Sequence, residues 1–258
     1  MPLRWWRGMT SAAGALTILF GRCCSGGIDR FHSLQRLEHG LVILLPGIQG
    51  NSNIEFSVAK GLDDAGIEMA IKVYDWTTGC GLLFPYHLCA LSRNRREAAN
   101  LTDRVCEYRD HYPGRPVHII GHSGGAGLAL LAMDVMPVGV KITNLILLAP
   151  AVSPSYDLGS AHEHVEFGIW NFCSWFDLLF LGVGTLILGT IDRRHVLASG
   201  ARGFTSGQRA DDGNRLRQQP YVAKMLRSWN CGGHFGCTNR VFVSEWLAPL
   251  LRIDESQS

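Results

Sequence analysis

The sequence predicts an α/β protein with a mostly parallel central sheet and helices on both faces, and three observations lead there. First, Leu41–Leu45, Val117–Ile120 and Ile142–Leu148 are nearly unbroken apolar runs, which suit strands covered on both sides. Second, stretches with apolar residues at helical spacing lie between them, and strand alternating with helix builds a parallel sheet. Third, Pro116 to Leu128 reads as strand, sharp turn and helix start with a serine at the apex. At 258 residues and 47% hydrophobic, the chain can bury the core of one domain of ordinary size.

The first 27 residues stand apart. Arg4 and Arg7 precede an uncharged, mostly apolar run from Gly8 to Phe20, followed by Cys23, Cys24, Ser25, Gly26 and Gly27. That order suits an export signal or N-terminal membrane anchor over residues 1–27, with Cys24 and Gly26 as small residues at a cleavage site and the folded domain over 28–258. A spanning helix needs about 20 apolar residues, and a docked N-terminal helix is the competing reading. The expected location is exported or membrane-associated, otherwise cytoplasmic, with membrane association through the N-terminus.

Asp29 to His39 is polar and helix-tolerant, and the strand Leu41–Leu45 ends at the glycine loop Pro46-Gly47-Ile48-Gln49-Gly50. Phe56, Val58, Ala59, Leu62 and Ala65 mark a helix over 55–65, stopped by Gly66, and a strand follows over 67–74. The apolar, aperiodic stretch 75–92 is either a pocket wall or a short packed helix. Residues 93–112 form a charged amphipathic helix with Ala98, Leu101, Val105, Cys106 and Tyr108 on its inner face. Pro113 and Gly114 end it and feed the strand before the serine. A helix is expected over 126–136 and strands over 142–148 and 164–173. The run Leu178 to Leu188 is expected to be buried core or pocket wall, 200–219 to be loop, and 220–229 to be helix.

Gly121-His122-Ser123-Gly124-Gly125 fits G-x-S-x-G, a strained turn that exposes its serine as a nucleophile. Three carboxylates are candidates to orient a base: Asp177, Asp192 and Asp157. Asp177 heads an apolar segment, where a charge must be paired or must cap the following helix. Asp192, beside Arg193 and Arg194, looks like a surface ion pair. His234, set among glycines ahead of an amphipathic stretch over 241–251, suits a loop-borne base.

Other classes are excluded or disfavoured. The formal charge is +2 without a basic stripe, so nucleic acid is not an expected partner. Eight cysteines form no C-x-x-C pair, so no metal site is expected, and His162 and His164 are assigned to an exposed strand edge. Cys231 and Cys237 flank His234 and are either bridged or free thiols. No cofactor motif is present.

With these residues in view, the chain resembles the α/β-hydrolase superfamily, on its esterase and lipase side, over roughly Leu41 to Leu251. The resemblance rests on the elbow 121–125, the strand and glycine loop 41–50, and the order nucleophile, acid, histidine. It implies an α/β-hydrolase fold, a catalytic domain over 28–258, and a Ser123, Asp177, His234 triad cleaving a small-molecule or lipid ester. It also implies an oxyanion hole from the backbone N–H of Gly124 with that of Ile48 or Gln49. Acyl transfer by the same triad and a non-catalytic binding protein of this fold are the alternatives. The family usually carries a strand just ahead of the histidine loop; either 196–201 supplies it or the sheet is shorter at that edge.

Overall fold

The computed structural model describes residues 2–15, 27–205 and 215–252. Its sheet holds six strands: β1 Leu41–Leu45, β2 Ala70–Val73, β3 Val117–His122, β4 Ile142–Leu148, β5 Val165–Cys173 and β6 Leu216–Pro220. Their order is β2-β1-β3-β4-β5-β6, and every pairing is parallel. Four helices matter here: α1 Pro2–Ala15, α2 Asn53–Asp64, α3 Leu91–His111 and α4 Gly124–Met133. Right-handed crossovers explain the layering. The step from β1 to β2 runs outward through α2, whereas the steps to β3 and β4 run back the other way through α3 and α4. Accordingly α3 packs on α4, and α2 packs on α1 and on the C-terminal segment 240–251. This is the α/β architecture that the sequence predicts, a parallel central sheet with helices on both faces.

Strands β1, β3 and β4 are buried at every residue, because helices cover both faces. All ten residues of α4 are buried, in keeping with a stretch that has no polar side chain. On α3 the inner face is Ala98, Leu101, Val105 and Tyr108, with Cys106 half-buried. Helix α2 begins with a capping box: the Ser52 hydroxyl accepts from Ile54 N–H at 3.3 Å, and Glu55 Oε2 accepts from Ser52 N–H at 2.8 Å. Burial of that carboxyl pushes its pKa up to about 7.

The structure departs from the sequence reading at five points. The strand ahead of the histidine loop is β6, inside a stretch expected to be loop. Its Leu-Arg-Gln-Gln-Pro sequence is polar because it is the sheet's half-exposed edge. Residues 196–201 do not form that strand; Ser199–Arg202 is a helical turn. The run 178–188 is not buried core: Leu179 is 70% and Ile187 68% exposed, and only Leu181, Gly182 and Thr185 are covered. His162 and His164 lie on the short helix Gly159–His164 rather than a strand edge. Within 223–228 the backbone is a 3-10 helix.

The remaining alternatives resolve unevenly. Residues 75–92 contain the short helix Phe84–Cys89, yet Leu82, Leu83, Phe84 and Tyr86 stay exposed. Cys231 and Cys237 are free thiols, as are the other four described cysteines. The beginning of the expected leader is the docked helix α1, while Cys23, Cys24 and Gly26 lie outside the described residues. Among the described residues no helix is long and apolar enough to cross a membrane, and no cluster could hold a metal ion.

His118 on β3 is fully buried, accepting from Asn144 Nδ2 at 3.4 Å, and burial drives its pKa down to about 3. The folded chain therefore keeps it neutral while the unfolded chain protonates it near the ordinary value of about 6.5. Since the unfolded state then binds more protons, stability falls as pH drops from about 6.5 toward 3. Urea unfolding of wild type should lose free energy more steeply between pH 6.5 and pH 4 than unfolding of His118→Asn; parallel curves would refute this.

Candidate active site

The serine turn is built by steric necessity. Chain direction reverses between β3 and α4 within one residue, and Ser123 takes φ 54°, ψ −118°, a conformation that costs an L-residue of order 1–3 kcal/mol. Hydrogen bonds hold it there. Ser123 N–H donates to Leu148 O at 2.9 Å, and its carbonyl accepts from Ala126 N–H at 3.2 Å and Ala151 N–H at 3.1 Å. Two glycines make the turn passable. A Cβ on Gly121 would lie 2.5 Å from Ala126 Cα, and one on Gly125 would lie 2.4 Å from Pro46 O.

The glycine loop after β1 lies against the start of α4. A Cβ on Gly124 would sit 3.6 Å from Ile48 N, so these two backbone positions are neighbours. Gly124 opens the helix, where N–H groups have no intrahelical acceptor. The loop is a tight turn closed by Gly50 N–H to Gly47 O at 3.0 Å, and the Gln49 side chain folds back over Gly47. His87 fixes the turn from outside: Nδ1–H donates to Ile48 O at 2.7 Å, and Nε2 accepts from Thr78 N–H at 3.1 Å and hydroxyl at 2.8 Å. With its carbonyl held, the 48–49 peptide plane has a set orientation.

Of the three candidate acids, Asp177 meets His234. The His234 Nδ1–H donates to Asp177 Oδ2 at 2.5 Å, and both side chains are almost wholly buried. Asp177 does not cap the helix behind it, whose first turn has no side-chain cap. Asp192 accepts from Ser153 N–H at 3.0 Å and from the Thr190 hydroxyl at 2.6 Å, with Arg194 at 3.9 Å. It therefore ties two loops together away from the histidine. Asp157 is exposed and accepts from Gly159 N–H at 2.9 Å.

Two residues around His234 were not singled out by the sequence, His122 and Phe180, and a third, Cys237, was read there only as bridged or free. His122, the variable position before the serine, donates Nε2–H to His234 O at 3.0 Å, and the two rings lie 4.8 Å apart. Burial, with the neighbouring His234 ring, drives the His122 pKa down to about 3, so it remains a neutral donor. Phe180 stacks on the His234 ring at 4.7 Å and 22°. Its exposed neighbours Leu178 and Leu179 continue the apolar surface outward. Cys237 lies beneath the loop, and burial with the Asp177 charge raises its thiol pKa to about 12, which keeps it protonated. His87 and His122 carried no signal beyond being histidines, and Phe180 was hidden in an apolar run.

No known protein family and no curated protein matches the sequence. Among solved structures, a protein from Xanthomonas campestris pv. campestris, provisionally described as a hydrolase of the alpha/beta superfamily, is similar. The similarity covers 79% of this chain and 96% of that one, at 18% identity and a TM-score of 0.45.

The glycine contacts make a direct prediction. Gly125→Ala drives a methyl into two backbone carbonyls, Pro46 O and Leu45 O, which cannot swing aside as a side chain would. The variant should lose about 3 kcal/mol or more of stability, read as a drop in thermal midpoint; a midpoint within 2 °C or so of wild type would contradict the packing described.

Proposed function

We propose that this chain is a serine hydrolase cleaving carboxylic esters, with Ser123 as nucleophile, His234 as base and Asp177 as its carboxylate partner. The observation that carries the reading is the buried 2.5 Å bond from His234 to Asp177, on a loop held by the residue next to the serine. A buried ion pair or charged hydrogen bond repays its desolvation poorly as a stabilising device. As catalytic equipment it makes sense, because a fixed carboxylate in a low-dielectric site favours the imidazolium that forms during reaction.

With its Nδ1 proton committed to Asp177, neutral His234 has Nε2 as an acceptor. It takes the Ser123 hydroxyl proton as Oγ attacks the ester carbonyl carbon, and negative charge moves to the carbonyl oxygen. The N–H groups of Gly124 and Ile48 are the donors proposed for that oxygen. Ile48 is preferred over Gln49 for its closeness to Gly124, and loss of such a donor typically costs about 10²- to 10³-fold in rate. The intermediate collapses, the bond to the alcohol oxygen breaks, and the imidazolium gives that oxygen its proton. Water then repeats the sequence on the acyl-enzyme. The apolar side chains beside His234, Phe180 with exposed Leu178 and Leu179, favour an ester with an apolar portion, such as a lipid ester.

A fluorophosphonate probe tests the nucleophile. Wild type should gain one adduct by intact mass, Ser123→Ala none, and His234→Ala at most a trace. Asp177→Asn should keep its fold by circular dichroism while losing about 10⁴-fold in kcat on a short-chain ester. Failure of folded wild type to form an adduct would sink the hydrolase reading in favour of a non-catalytic binding protein.

A further inference from the structure

A groove of about 270 Å³ runs between helix α1 and the histidine loop, walled by Ala12, Ala15, Ile54, Trp229, His234 and Phe235. We propose that it is the leaving-group site, taking the apolar alcohol portion of the ester; this rests on the hydrolase reading above. The chemistry assigns the side. When Ser123 Oγ forms its bond to the carbonyl carbon, the acyl group stays on the serine. The C–O bond to the alcohol breaks, and His234 passes the proton it took from Oγ to that departing oxygen. The part of the substrate beside the imidazole is therefore the alcohol, and the groove borders His234 with no wall from Ser123. Its capacity is roughly that of nine waters, enough for a short alkyl chain.

Helix α1 is fastened as a wall. Arg4 pairs with both Glu245 oxygens, at 2.6 and 2.9 Å, and donates to Arg227 O at 2.8 Å. Arg7 lies 3.3 Å from Asp64, and the Ser11 hydroxyl bonds that of Ser57 while accepting from Arg240 N–H at 3.1 Å. Asn239 Nδ2 donates to Gly8 O at 3.0 Å, and Gly8 rests on the Trp229 indole so closely that a Cβ would come within 2.3 Å of it. Trp5 meets the same indole edge-on at 5.9 Å. These bonds hold α1 on α2 and the C-terminal segment, while the small side chains of Ala12 and Ala15 leave the groove open.

The test compares two ester series on the full chain: acetates of ethanol, butanol, hexanol and octanol, and ethyl esters of acids of matching length. In wild type, kcat/KM should climb at least tenfold from ethyl to octyl acetate, rising by up to about fourfold for each methylene that the groove buries. Ala12→Trp fills the groove from an exposed helical position, and Ala15→Phe is a second, independent filling should the first misfold. Either variant should reduce the octyl-to-ethyl acetate ratio at least tenfold while the ratio across the acid series holds. Formation of the fluorophosphonate adduct with a flat alcohol series, or a filled variant that alters the acid series instead, would overturn the groove assignment alone. Absence of both adduct and turnover would remove the hydrolase reading and this proposal with it.

Discussion

The reversal at Ser123 is the constraint on which the rest depends. A parallel strand must become a helix within one residue, which forces positive φ on a non-glycine residue and brings α4 down onto the end of β1. Only hydrogen atoms fit at Gly121 and Gly125, so the turn exists because three backbones can touch there. Its strain is carried by hydrogen bonds from β4 and the residues after it, Leu148 and Ala151, within the most deeply buried part of the sheet. The same contact sets Gly124 beside Ile48, so one packing event brings the serine turn against the glycine loop.

The histidine loop is controlled differently, by polar contacts in a dry setting. Asp177 holds one ring nitrogen, His122 holds the backbone carbonyl and Phe180 covers a ring face. These contacts come from two strand ends: β3 supplies His122, and the chain leaving β5 supplies Asp177 and Phe180. The loop itself follows β6. Low dielectric makes every one of these polar contacts stronger, and would make any of them costly if left unpaired. His122 suits its part because burial keeps it neutral and a donor.

Around this centre the molecule leaves apolar surface open. Leu82, Phe84 and Tyr86 after β2, and Leu178, Leu179 and Ile187 after β5, are exposed on segments joined where Cys89 Sγ meets Leu188 O at 3.4 Å. Several large apolar side chains on neighbouring segments are what an apolar ligand would contact, and they cost solubility otherwise. Helix α1 adds a basic and aromatic fastening on the far side of His234, through Arg4 and Trp5. The exposed apolar segments follow the carboxyl ends of β2 and β5, where open α/β sheets receive their ligands.

The sequence alone determines what is encoded over a few neighbouring residues. Continuous apolar runs gave β1, β3 and β4, helical spacing gave α2 and α3, and a pentapeptide with its flanks gave the elbow, because sterics and periodicity act locally. The edge strand β6 escaped because a half-exposed strand needs no apolar pattern and looks like loop. The residues by themselves do not choose among Asp177, Asp192 and Asp157 as the partner of His234; only the family resemblance favours Asp177, since the contact joins positions 57 residues apart in the chain. Tertiary packing alone also decided that 178–188 faces outward and that α1 lies beside the histidine loop. An apolar segment reads the same whether it is covered or open, and the difference is made by the partners that the fold brings to it.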